Sequence, residues 1–227
     1  MEILKGLLEA IFPEKCVFCG KTLGFDLGPC PACRERLPLV EGPICRLCGC
    51  AKELCTCRQE ERAYVRRIAP AYYGCGVKRA VMELKFHRVK GAAIPLAELM
   101  ASCVKEHYQG LAFDWIIAVP MTRQKVRQRG YNQAALLGQE LSRLTGIPFT
   151  EGLLIKSRNN QIQHHLDARQ RWENVRDVYK ASPKAKGKQI LLVDDISTTG
   201  ATFDACAHAL MKSGAQAVYC ISAATVV

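Results

Sequence analysis

Residues 190–193 are four consecutive apolar side chains, Ile-Leu-Leu-Val, and two aspartates come directly after them. A short apolar run bounded by polar residues predicts a strand buried on both faces. Residues 115–119 and 217–223 are two more such runs, and residues 69–74 read as a further strand. Residues 77–86, 95–107, 132–145 and 201–211 instead place apolar side chains at helical spacing. Gly146-Ile147-Pro148 predicts a turn into another short strand. From residue 115 onward strand and helix alternate, which predicts an α/β fold with a mostly parallel sheet flanked by helices. Ile3, Leu4, Leu7, Leu8 and Ile11 predict an amphipathic docking helix at the start.

Between that helix and the α/β region the pattern changes. Nine of the 13 cysteines fall within residues 16–57, among prolines and glycines and with few long apolar stretches. Residues 58–67 read as a charged connector, so the chain divides into residues 1–60, a helix plus a Cys-rich module, and residues 61–227, the α/β domain. Cys16-Val-Phe-Cys19 and Cys30-Pro-Ala-Cys33 are two knuckles whose thiolates complete a tetrahedral zinc site. Cys45-Arg-Leu-Cys48 opens a second set that Cys55-Thr-Cys57 closes, leaving Cys50 over. One or two structural Zn2+ ions are expected, with an iron–sulfur cluster as the alternative. Cys75, Cys103, Cys206 and Cys220 lie in apolar contexts and read as core residues. The start lacks a basic region and a small-residue cleavage site, and no apolar run is long enough to span a membrane. A reducing, cytoplasmic setting is therefore expected, with the cysteines as ligands rather than disulfides.

Candidate chemistry gathers after the 190–193 strand. Asp194 and Asp195 sit at its end, Ser197, Thr198, Thr199 and Gly200 form a hydroxyl-rich turn, and Ala201 and Thr202 open a helix. Strand, small-residue turn and helix start together make an anion pocket. The two carboxylates add acceptors that suit the vicinal hydroxyls of a ribose, so the segment reads as a ribose 5-phosphate site. A second basic segment carries Arg123, Lys125, Arg127 and Arg129 at every other residue before Gly130. On an extended loop these four cations share one face and suit a pyrophosphate. The polar stretch 156–180, with His164, His165, Arg169 and Arg171, reads as a lid or binding loop. Net charge is +11, which favours a polyanionic ligand. Lys85, Arg88, Arg127, Arg129, Arg169 and Arg171 are the candidate nucleic-acid contacts, with Tyr72, Tyr73, Phe86, Tyr131 and Trp172 as candidate stacking partners.

Val-Asp-Asp-Ile-Ser-Thr-Thr-Gly-Ala-Thr at residues 193–202 resembles the phosphoribosyl pyrophosphate motif of type I phosphoribosyltransferases. The Cys knuckles, Leu84-Lys85-Phe86, the run 120–133 ending Arg-Gly-Tyr-Asn-Gln, and the Gln163, Leu166, Arg169, Asn174 spacing resemble the ComF (ComFC) competence family within that superfamily. The resemblance implies a type I phosphoribosyltransferase-like domain behind a zinc-binding module. It implies that Asp194 and Asp195 hold the ribose hydroxyls as the catalytic pair, and that residues 197–202 hold the 5-phosphate. It places pyrophosphate near residues 120–130, with Mg2+ bridging it to the ribose. It also implies cytoplasmic handling of single-stranded DNA during natural transformation. Cys55-x-Cys57 departs from the family's usual Cys-x-x-Cys. Three functions stay open: a DNA-uptake protein that binds phosphoribosyl pyrophosphate, a transferase acting on an amine or nucleobase acceptor, and a zinc-stapled scaffold for a helicase or other competence partner.

Overall fold

The computed structural model describes residues 15–23, 29–57, 61–156 and 178–226. The Cys-rich module comes first and contains one short helix, α1 (Pro31–Arg36), with Pro31 at its first turn. Strand β1 (Arg66–Ile68) follows, then helices α2 (Cys75–Phe86) and α3 (Ala93–His107). Next come strand β2 (Trp115–Ala118) and helices α4 (Arg123–Arg129) and α5 (Gln133–Thr145). Strands β3 (Leu154–Lys156) and β4 (Tyr179–Ala181) precede β5 (Gln189–Ser197), helix α6 (Ala201–Lys212) and β6 (Ala217–Thr225).

Four strands form one parallel sheet in the order β1-β6-β5-β2. β3 and β4 pair antiparallel as a separate hairpin. The apolar run of β5 is buried on both faces, as a central parallel strand requires. Leu191 and Val193 enter one core with Leu84, Leu96, Met100, Leu137 and Leu141 of α2, α3 and α5. Ile190 and Leu192 enter the other, with Phe203 and Leu210 of α6 and with Leu154 and Tyr179 of the hairpin. Each fully buried Leu or Ile in these layers stabilises the fold by roughly 1.5–3 kcal/mol.

The expected α/β class, parallel sheet and flanking helices are all present, and five local expectations change. The strand expected at residues 69–74 lies earlier, at Arg66–Ile68, and beyond it Ala71 and Tyr72 make only isolated bridges. Pro70, which has no N–H to donate to a ladder, separates the two. β5 does not end before the aspartates, because β6 keeps pairing with it through Asp194↔Ser222 and Ser197↔Thr225. The described part of the charged connector is not all surface: Tyr64 and Arg67 are buried in it. The basic run at 123–129 is a helix rather than an extended loop. The Thr122 hydroxyl caps it by accepting from the Lys125 N–H, and Gly130 ends it at φ 88°. Cys103, Cys206 and Cys220 are core residues as expected, but Cys75 is exposed at the start of α2. The docking helix at residues 3–11 lies outside the described residues. Among the described residues, no helix is long and apolar enough to cross a membrane.

Candidate ligand pocket and metal centres

Two clusters of four cysteines are assembled in the module. The sulfurs of Cys16, Cys19, Cys30 and Cys33 all lie within 4.8 Å of one another, and so do those of Cys45, Cys48, Cys55 and Cys57. In each cluster a Cys-x-x-Cys turn presents two thiols from one side. The second pair comes from the start of α1 in the first cluster and from the Cys55-Thr-Cys57 segment in the second. Four convergent sulfurs with no other donor are the ligand set of a closed, structural zinc site. Backbone amides prepare one thiolate per cluster. The Cys30 N–H donates to Cys16 Sγ at 3.4 Å and the Leu47 N–H to Cys45 Sγ at 3.4 Å. Burial pushes both thiols up, but the N–H groups outweigh it and bring Cys16 and Cys45 each down to about 7. Cys50 belongs to neither cluster. It is buried, with its sulfur 3.8 Å from Thr225 Oγ1 and 3.8 Å from the Val226 carbonyl.

The second site stands at the C-terminal ends of β5 and β2, which are adjacent and parallel with Ala118 opposite Val193. The segments leaving these two strands therefore emerge side by side at one edge, where open α/β sheets bind ligands. Successive side chains of a strand face opposite ways, so the two aspartates part company. Asp195 shares the Leu191 and Val193 side. It is 3% exposed, and its Oδ1 is 3.0 Å from Lys85 Nζ of α2. Its Oδ2 is buried with no hydrogen-bond partner. Asp194 faces the hairpin side, and its Oδ1 accepts the Asp195 N–H at 2.8 Å. Burial, and then the Asp195 charge, raise the Asp194 carboxyl well above the usual carboxylate range, against the pull of Lys85 and Lys156. Lys156 in turn is lowered by burial and by Lys125, and its ammonium lies 5.3 Å from the centre of the Tyr179 ring.

The turn after β5 is tight. Gly200 has φ 78°, Ala201 N–H donates to Thr199 Oγ1 at 3.3 Å, and Asp204 N–H donates to the Gly200 carbonyl at 2.9 Å as α6 begins. Ser197 is buried, whereas Thr198, Thr199, Ala201 and Thr202 are exposed. Helical geometry divides the four cations of α4, because residues four apart share a face. Arg123 and Arg127 fall on one side, Lys125 and Arg129 on another. Arg123 lines a cavity of about 660 Å3 between residues 120–124 and the β3–β4 hairpin, with Lys156 and Lys180 opposite. Arg129 turns away to Gln133 and stacks 5.3 Å from the Phe86 ring centre. Arg88 is beside it, with Nη2 3.5 Å from the Gln128 carbonyl. Of the aromatic candidates, Phe86 is 59% exposed while Tyr131 is buried. Tyr72 and Tyr73 are partly buried. Trp172, Arg169, Arg171, His164 and His165 lie outside the described residues.

The double zinc ribbon domain family matches residues 7–67, and the phosphoribosyl transferase domain family matches residues 128–227. DNA utilization protein YhgH of Escherichia coli (strain K12) is 30% identical over 213 residues, covering 84% of this chain and 94% of that protein. Competence protein F of Haemophilus influenzae is 26% identical over 91% of this chain and 95% of its own length. The chain belongs to the ComF competence family. Another ComF relative, Competence protein ComFC of Bacillus subtilis, is 27% identical over 83% of this chain and 80% of its own length. The ComF fold is thus a type I phosphoribosyltransferase-like sheet behind a Cys-rich double zinc ribbon, and both four-cysteine clusters fit zinc.

For several residues near the ComF aspartates the sequence signal points to another role. Lys85 reads in the sequence as part of Leu84-Lys85-Phe86 and as a nucleic-acid candidate, yet it meets Asp195. Lys156 and Tyr179 are far from the aspartates in sequence, and the hairpin brings them within the electrostatic influence of Asp194. Arg67 looks like one more charge of a connector, yet it is 1% exposed and meets the turn after β5. Helix packing places Lys85, the separate hairpin places Lys156 and Tyr179, and pairing in the sheet places Arg67.

Proposed function

We propose that this ComF-family chain binds phosphoribosyl pyrophosphate at the end of β5 and acts in the cytoplasmic handling of single-stranded DNA during natural transformation. One observation carries the ligand: Asp195 is buried, with one oxygen on Lys85 and the other without a partner. A buried carboxylate oxygen left unpaired costs about 1–3 kcal/mol or more. A ribose hydroxyl donating to it removes that cost. The turn 197–202 then takes the 5-phosphate, and Asp194 takes the second hydroxyl. Arg123 and Lys125, in the first turn of α4 after β2, are the cations that would meet the pyrophosphate. The hard carboxylate oxygens of Asp194 and Asp195 would hold Mg2+ together with the ligand's own oxygens. Mg2+ would neutralise charge building on the leaving pyrophosphate.

Calorimetric titration of phosphoribosyl pyrophosphate, with and without Mg2+, tests the ligand. The expected result is saturable binding that strengthens with Mg2+ and is lost in the Asp194→Ala/Asp195→Ala double variant. Absence of binding to the wild-type chain overturns the assignment.

The DNA limb is supported by the net charge of +11, by relatives named for competence and DNA utilization, and by one surface feature. Phe86 stands exposed beside Arg129, with Arg88 also against α4, at the meeting of α2 and α4. An exposed ring framed by cations suits a stacked base beside a phosphate. Phe86→Ala should weaken single-strand binding by about 10-fold. Arg88→Ala should weaken it too and flatten its dependence on salt. Fluorescence anisotropy over a salt series measures both, and unchanged affinities move the DNA site elsewhere.

A second reading rests on the cavity of about 660 Å3 beside Lys156. An acceptor in that space would make phosphoribosyl transfer the activity: the C1–O bond breaks as pyrophosphate leaves, and a nitrogen nucleophile takes C1 and gives up its proton. Positioning and charge stabilisation would carry the rate. Release of labelled pyrophosphate across a panel of amines and nucleobases tests it.

A further inference from the structure

Arg67 is 1% exposed, and among the described residues no carboxylate pairs with it. Its guanidinium is spent on two structures at once. Nη1 donates to Ser197 Oγ and, at 3.2 Å, to the Thr198 carbonyl of the turn after β5. Nη2 donates to the Cys48 carbonyl at 2.7 Å and to Thr198 O at 3.3 Å, while Nε has no partner. Gly200 makes room for it, since a Cβ there would stand 2.7 Å from Nη1.

The same contact is anchored three times on the second four-cysteine cluster. The Arg46 carbonyl accepts from Arg67 N at 2.8 Å, and the Leu47 carbonyl accepts from Tyr64 Oη at 2.8 Å. The Cys48 carbonyl accepts from Arg67 and from Thr225 Oγ1, the latter at 3.1 Å. Those three carbonyls are consecutive in the turn that Cys45 opens and Cys48 closes. A metal on that cluster therefore sets the carbonyls that aim Arg67. A cavity of about 480 Å3, lined by Cys48, Cys57, Arg67, Thr198 and Thr199, runs between cluster and turn.

We propose that Arg67 is a positioning residue coupling the second four-cysteine cluster to the phosphate turn. Metal on Cys45, Cys48, Cys55 and Cys57 holds residues 197–200 through Arg67, and a phosphate on that turn supplies the counter-charge the buried guanidinium lacks. The inference rests on the phosphate site proposed above. Such coupling is reciprocal: if metal tightens the ligand, the ligand tightens the metal by the same factor.

The test uses the full-length, zinc-loaded chain. A chelator is added with and without saturating Mg2+–phosphoribosyl pyrophosphate, and alkylation of each cysteine is followed by peptide mass spectrometry. Ligand should slow alkylation of Cys45, Cys48, Cys55 and Cys57 by about 5-fold or more and leave Cys16, Cys19, Cys30 and Cys33 unchanged. Equal slowing of both clusters, or none, with ligand shown to be bound by calorimetry, overturns the coupling. Absence of ligand binding in the wild-type chain overturns the phosphate site, and the coupling with it. Arg67→Lys keeps the charge without the planar fork, so it should retain binding better than Arg67→Met and lose the selective protection. The wild-type comparison stands without either variant.

Discussion

Asp194 and Asp195 are neighbours on one strand with different surroundings, because alternation sends them to opposite faces of β5. Asp195 is buried against a lysine, whereas Asp194 is partly buried and its carboxyl is raised by desolvation and by the charge of its neighbour. The raised pKa of Asp194 fixes the sign of a pH effect. Between the unfolded carboxyl value, about 4, and its higher native value, the native state binds more protons than the unfolded state. The stability contributed by protonated Asp194 is therefore full below about pH 4 and is lost as pH rises through the native pKa. Asp194→Asn removes that loss. It should melt at the same temperature as wild type near pH 3 and a few degrees higher at pH 7, while losing affinity for phosphoribosyl pyrophosphate. Thermal melts across that range measure it, and a variant less stable than wild type at pH 7 would show that Asp194 is held as a stabilising carboxylate. The pair itself was legible in the sequence. The division of labour was not, because it depends on which helix or hairpin covers each face.

Elements were legible where the apolar period is long. α2, α3, α5, α6, β2 and β6 fall within a few residues of their expected bounds, because amphipathic spacing and buried runs report on both local preference and burial. Two departures share a cause. Charge reads as loop or linker at residues 58–67 and 123–129, but caps and sheet pairing decide the structure. Thr122 and Gly130 close a helix around four cations, and β6 draws Arg66–Ile68 into the sheet. The turn from β5 to α6 is the element whose glycine the fold requires. Gly200→Ala would place a methyl at φ 78°, 2.7 Å from Arg67 Nη1 and 2.9 Å from Tyr64 Oη. Strain of about 1–3 kcal/mol should appear as a lower denaturation midpoint. Calorimetry should also show loss of the phosphate ligand. Wild-type affinity in that variant would mean the turn does not hold phosphate.

At the scale of the whole molecule, the zinc ribbon is built into the sheet's end. Cys48, Cys50, Tyr64 and Arg67 join it to β6 and to the turn after β5. Two zinc ions per chain are expected by elemental analysis, and zinc binding should add to folding stability. Chelation should lower the melting temperature of the whole chain, and added zinc should restore it. A melting temperature indifferent to chelation would leave the module thermodynamically separate. The sequence by itself determined the α/β class, the two sets of four cysteines, the aspartate pair and the small-residue turn that follows it, because each depends on residues close together along the chain. Tertiary structure alone decided that Lys85 meets Asp195, that the hairpin carrying Lys156 and Tyr179 lies on the Asp194 side, and that Arg67 lies between a four-cysteine cluster and the turn. Those contacts arise from strand order and helix packing, which bring distant residues together irrespective of local pattern.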